Sequence, residues 1–424
     1  MTFADPTQSS PAPTAASAAP AKAPAAPRVR DLRLDFFRGV AMFIILFAHT
    51  RGNFFTSWIP ARWGFSDATE MFVFCSGMAS AIAFGATFQR AGFALGSARV
   101  AYRIWQVYWA HVGLFFATAG LLVFLTNLDA TTTNYWGRLN LWMLFVEGQH
   151  WVNPDILFRF LTLQWVPNLF DILPMYMVIL AMMPIAILLG RKHIGLLAVI
   201  SLTLWFFAQR KFTESLGLPY LNFTAEPWVG DDEWQRRWFL NPFGWQLVFF
   251  TGFAFMRGWL PKPPVTPLLF GIALFIVLAN IPLSSIGVRE LGMDWAREWR
   301  IENRQWISKT DFGILRYVQF LALAYLAWVL AGDKGGRLVA TGTGLAARIW
   351  QRVMAMILKV GQQSLAVFVV SIIVGQFNGF VMDMLGRDTW TVVGVNLFGM
   401  AILIAVAYLA SWFKTQPWRP GRAN

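Results

Sequence analysis

Arg38 and His49 share one apolar run, LDFFRGVAMFIILFAHT at 34–50. On a helix the step between them turns through about 1100°, three turns plus about 20°, and rises about 16 Å. The two side chains therefore fall on nearly the same face, one near each end. That pairs a fixed cation with an imidazole that titrates near neutrality and can take and return a proton. Polar groups at membrane depth are costly and are normally paired or turned toward protein or water. His49 reads either as a general base or as an interfacial histidine wetted at a helix end. Arg38 either snorkels to the inner headgroups, with Asp35 beside it, or binds an anionic donor through its planar guanidinium.

A second polar run, SDATE at 66–70, opens the next apolar segment, MFVFCSGMAS. Ser66 is the expected N-cap, and Glu70 lies in the first turns on the same side as His49. Glu70 either compensates the helix dipole or orients the imidazole, as acid–base dyads do. Ser76-Gly77 reads as a place for close helix contact rather than a nucleophile. Arg99 and Arg103 share a face at the inner end of the third segment, suited to headgroups or to a donor phosphate. Asp171 and Tyr176 in FDILPMY, and Asn241, Trp245 and Gln246 in NPFGWQ, put polar groups at the outer ends of two further segments. These are candidates to hold an acceptor or an oxyanion, although Asn241-Pro242 also reads as a plain helix start. Glu147 and His150 form a second acid–base pair in an outer loop. Four well-separated His and the single Cys75 give no metal site and no intramolecular disulfide.

Composition says what must position these groups. The chain of 424 residues is 57% apolar and only 13% charged, against roughly 25% charged in soluble domains. Ten apolar segments are expected, at 34–50, 68–88, 103–126, 169–189, 193–209, 243–258, 266–281, 313–331, 360–382 and 391–413. The fifth and seventh are the weakest, being short of the ~20 residues that cross a bilayer. The net charge of +13 is distributed in the breaks between segments, not gathered on one aromatic-studded face as in a nucleic-acid binder. Lys and Arg fall in alternate short loops and acidic residues in the others, which predicts both termini on the cytoplasmic side. The expected fold is all-α: a polytopic membrane domain over 30–415, an N-terminal segment 1–29 and a tail 416–424. The Ala/Pro/Ser/Thr-rich start has no apolar run of the signal-peptide kind and is expected to be disordered. Leu141 to Val146 and Phe158 to Val166 read as short amphipathic pieces on the outer surface. They are either interfacial or a platform on which sugars stack against Trp142, Trp151 or Trp165.

RLDFFRGVAMFIILFAHT together with GFSDATEMFVFCSGMAS resembles the OpgC family, membrane succinyltransferases of osmoregulated periplasmic glucans, within the wider membrane acyltransferase-3 group. EMFVFCSGM corresponds to that group's acidic residue followed by FFxxSGF. RIWQVYW corresponds to its RIxPxYW, with Gln106 in place of proline. FDILPMY and NPFGWQLVF are similar to the OpgC type of these motifs. The resemblance implies about ten membrane helices in a bacterial inner membrane. It also implies a cytoplasmic acyl-CoA donor, succinyl-CoA in OpgC relatives, and a periplasmic glucan hydroxyl as acceptor. His49 and Glu70 would be catalytic and Arg38 functional by motif match, with no permanently bound cofactor and no metal. The expected activity is an O-acyltransferase in which Arg38, Arg99 and Arg103 hold the donor and its acyl arm runs between helices to His49. Asp171, Tyr176, Trp245 and Gln246 are the expected acceptor or oxyanion groups. The alternative is a transporter of an anionic or acylated glycan. A homo-oligomer is left open, and no nucleic-acid partner is expected.

Overall fold

The computed structural model describes residues 31–139, 141–144, 152–224 and 237–418. Its helices run in chain order as α1 Arg33–His49, α2 Pro60–Trp63, α3 Ala68–Asn127, α4 Pro154–Leu161 and α5 Ile172–Lys192. They continue as α6 Ile194–Phe207, α7 Arg210–Ser215, α8 Pro242–Arg257, α9 Pro267–Ala279 and α10 Ser285–Arg289. The last five are α11 Asp294–Glu302, α12 Ile314–Ala331, α13 Leu345–Gln362, α14 Ser364–Leu385 and α15 Thr389–Thr415. The fold is all-helical, as composition implied; the described residues form no named strand, and an isolated bridge joins Thr224 and Arg237.

Five helices, α3, α5, α12, α14 and α15, are long and apolar enough to cross a membrane. The segments weakest in sequence are also short in the structure: α6 has 14 residues and α9 has 13. The second and third expected segments form one element of 60 residues, α3, interrupted at Gly92 (φ 78°, ψ −177°). Glycine has no Cβ to oppose that positive φ. The chain doubles back there. Arg99 donates to Thr87, which in a straight helix would lie about 18 Å away.

Small residues set the crossings that build the core. A Cβ on Gly39 of α1 would sit 2.1 Å from the Ile357 carbonyl oxygen of α13, and one on Gly361 of α13 would sit 1.9 Å from that of Asp35. The same reciprocal approach joins Gly77 of α3 to Phe249 of α8 and Gly252 of α8 to Phe74 of α3. Such contacts let backbones pack where lipid gives no hydrophobic drive between helices. Ser76-Gly77 is thus a packing site, as its sequence suggested.

Three local expectations need correction. The basic stretch 332–359, expected from the charge pattern as a loop on the side of the termini, carries most of α13, whose buried end packs on α1 while Arg348 and Arg352 stay exposed. Asp67, not Ser66, caps α3, because its carboxylate accepts from Thr69 N–H at 2.6 Å. Trp165 is 1% exposed beside Phe115 and Phe160, so it serves the core and offers no face to a sugar. The backbone of Glu147, His150 and Trp151, and the Trp142 side chain, lie outside what is described.

Candidate functional site

His49 is the last residue of α1, and its ring is held by its own helix. Nδ1 lies 2.7 Å from the Ile45 carbonyl oxygen, which can only accept. The proton therefore sits on Nδ1 and the lone pair on Nε2. Among the described residues Nε2 has no hydrogen-bond partner, and it is not one of the buried unpartnered polar atoms, so it is open to a substrate. Gly375 of α14 lies against this residue: a Cβ there would come 3.0 Å from that of His49. Just beyond, Asn53 and Asn396 exchange side-chain hydrogen bonds of 2.8 and 3.0 Å, tying the exit of α1 to α15. Helix end, tautomer and ring direction are all fixed.

Glu70 is fully buried, and both carboxylate oxygens have partners. Oε1 accepts from Arg316 Nε at 2.7 Å, and Oε2 from the Asp67 backbone N–H at 2.8 Å, completing a capping box. His49 is not among its partners. Glu70 and His49 sit at one end of the bundle, but the expected direct dyad is absent because a guanidinium holds the carboxylate first. Asp67 pairs with Lys309 at 2.5 Å and lies 3.7 Å from Arg316. Burial disfavours the charge of Asp67, but Lys309 and Arg316 outweigh it and hold that carboxyl well below the usual range. The fields of Lys309 and Asp67 reach His49.

The loop that brings Lys309 in is held by side chains bonded to its backbone. Trp245 Nε1 donates to the Lys309 carbonyl (2.9 Å), Gln209 to that of Asp311 (2.7 Å) and Trp205 to that of Phe312 (2.8 Å). Tyr220 donates to the Asp311 carboxylate at 2.6 Å. This explains two expected acceptor residues. Trp245 is buried with its only donor engaged, and Gln246 is bonded to Ser201 through both amide atoms. Neither donor is free to meet an oxyanion.

At the other end of α1, Arg38 donates to Ser364 at the start of α14, and its Nε is buried with no partner among the described residues. The charges of Asp35 and Arg103 reach it, and Lys414 in turn feels Arg38 and Arg103. Lys414 is tethered by Gln363 at 2.6 Å. Arg99 is engaged elsewhere, on Thr87 and 6.0 Å over the Phe84 ring. Tyr176 is buried within electrostatic reach of Arg38, so it lies deeper than the outer position its sequence suggested. Asp171 is half-buried at the start of α5. An apolar cavity of about 140 Å³ opens beside α1, from Asp31 and Arg33 to Phe74, Cys75 and Phe320. Its wall at Cys75 is also next to Arg38 electrostatically.

Sequence reasoning missed Asp67, Lys309 and Arg316. The signal for Arg316 was present: an arginine three residues into an apolar segment needs a partner. Lys309 lies in a long loop, and no spacing rule links it to Asp67. Among the described residues no group of His, Cys, Asp and Glu is placed to hold a metal ion.

The family model described as OpgC protein matches residues 30–415. No curated protein and no solved structure matches the chain.

Proposed function

Because the chain belongs to the OpgC protein family, we propose that it is a membrane O-acyltransferase that modifies a glucan, with His49 as the base. The observation that carries this reading is the imidazole itself, with Nδ1 tied to Ile45 and Nε2 open. A glucan hydroxyl gives its proton to Nε2 while its oxygen forms the bond to the thioester carbonyl carbon. The carbon–sulfur bond then breaks, and the coenzyme A thiolate takes the proton back from the imidazolium. Glu70 works in this scheme through Arg316 and Asp67, holding the end of α3 and Lys309 beside His49. A cation there favours the developing oxyanion.

The donor is acyl-CoA, with succinyl-CoA the first choice. Its phosphates suit the cationic group Arg38, Arg103 and Lys414, with Arg99 as an outlying contact. The acyl arm runs through the apolar cavity that Cys75 helps to line. Ala41, Met42 and Ile45, on the face between Arg38 and His49, are at most 5% exposed, so the arm passes beside that face or displaces it. Tyr176 lines the donor's path, and Asp171 lies at the acceptor's end. The ten apolar limbs cross a bacterial inner membrane. Both termini are cytoplasmic and His49 faces the periplasm.

The test uses purified full-length protein in detergent with labelled succinyl-CoA and glucan. Label appears in glucan with wild type and not with His49→Ala. Export of glycan without a covalent product would overturn the reading.

A further inference from the structure

The loop that leaves His49 carries a second feature that the reaction scheme does not use. The 3-10 turn Phe54–Trp58 and α2 form one wall of a cavity of about 300 Å³, and α10 with Glu290 forms the other. Its lining is Ser57, Trp58, Arg62, Trp63, Ile286 and Glu290. Trp58 is 77% exposed and Trp63 is 40% exposed. Trp63 is fixed by its indole N–H, which donates to the Ser57 carbonyl at 2.9 Å. Arg62 bridges the walls, bonded to Glu290 and, at 3.2 Å, to Ser285.

This lining has a definite chemical preference. Arg62 and Glu290 neutralise each other, so the cleft does not select an anion or a cation. Together they offer N–H donors and carboxylate acceptors, the groups that read hydroxyls. The indole faces offer flat apolar area to C–H surfaces. A gluco-configured pyranose has both, with equatorial hydroxyls at its rim and apolar C–H faces. The cleft is also positioned in advance. Its loop is anchored on one side by the Asn53–Asn396 pair and on the other by Ser66, whose N–H and hydroxyl both bond Gln319. Little ordering remains to be done on binding.

We propose that the Trp58–Trp63–Arg62–Glu290 cleft is an acceptor subsite that stacks neutral glucose units of a glucan and delivers the neighbouring hydroxyl to His49. This rests on the acyltransferase reading for its purpose, but not for its detection. A volume near the lower end of the ~300–1,000 Å³ of small-molecule sites suits one or two sugar rings of a longer chain.

The experiment measures binding of a β-linked glucohexaose to full-length protein in lipid nanodiscs by calorimetry, without donor, and then acceptor KM in the transfer assay. Trp58→Ala should weaken binding about tenfold, and Glu290→Gln about threefold. Trp390→Ala is the control, since Trp390 is 83% exposed at the start of α15 and does not line the cleft. It should change nothing. In transfer, Trp58→Ala should raise acceptor KM by the same factor while donor KM and kcat hold. Equal glucohexaose binding by wild type and Trp58→Ala overturns the subsite, as does equal weakening by Trp58→Ala and Trp390→Ala, the mark of a headgroup anchor. If binding follows the cleft variants and wild type transfers nothing, the subsite stands and the acyltransferase reading falls.

Discussion

The two ends of α1 handle charge in opposite ways. At the His49 end, Asp67, Glu70, Lys309 and Arg316 sum to zero, and each has a partner of opposite sign. At the Arg38 end, three cations, Arg38, Arg103 and Lys414, lie in one another's fields, with Asp35 beside Arg38. A balanced buried network fixes geometry, and breaking one member leaves an uncompensated charge. An unbalanced cationic group awaits an anion, and its energy depends on what binds. One end is built to hold a ring still. The other, in the proposed scheme, receives the donor's phosphates.

Substitutions can break this contrast, and the largest effect belongs to the ring. His49→Ala should lower the transfer rate on the order of 10³-fold with the fold intact, since positioned acid–base groups contribute ~10²–10⁴-fold. Circular dichroism and rate on the same sample check it. Next is Arg316→Ala, which strands Glu70 as a buried carboxylate. It should destabilise the protein by about 3–5 kcal/mol, seen as lost monodisperse protein or a much lower melting temperature. Arg38→Gln should behave in the reverse manner. The melting temperature should hold, while donor KM rises about tenfold or more and acceptor KM does not move, because a charge-assisted bond contributes ~1.5–3 kcal/mol. An Arg38 variant that unfolds, or an Arg316 variant that only raises donor KM, would invert the comparison.

Smallest is Asp67→Ala, which loses a helix cap and a partner of Lys309, about 1 kcal/mol. Its pH dependence sharpens the point. The Asp67 carboxyl is held below its ordinary value of 3.8 against burial, by Lys309 and Arg316. Its contribution is therefore complete above that value and is lost as pH falls toward the depressed one. The gap in melting temperature between wild type and Asp67→Ala should stay constant from neutral pH to mildly acidic pH, then narrow at lower pH.

The helical framework was legible because apolar segments and their breaks follow from bilayer thickness and backbone satisfaction. Arg38 and His49 stood out because charge inside an apolar run is costly. What could not be read was pairing across long sequence distances. Glu70 meets a residue 246 positions away. Trp245 and Gln246 carry the right chemistry for an oxyanion, but buried donors take the nearest carbonyl, and only packing decides which that is. Asp67 instead of Ser66 as cap was a choice between neighbours, settled when Gln319 claimed Ser66. The doubling back at Gly92 was visible as a glycine, but not as the joint inside one 60-residue element.

In the proposed scheme one helix serves donor and acceptor on opposite faces of a membrane. Proteoliposomes of fixed orientation test it most directly, with labelled succinyl-CoA confined to the side of Arg38 and glucan confined to the side of His49. Label should appear in the glucan of the opposite compartment and be abolished by His49→Ala. Label that appears only when donor and glucan share a compartment, or that survives His49→Ala, would overturn transfer across the membrane through His49.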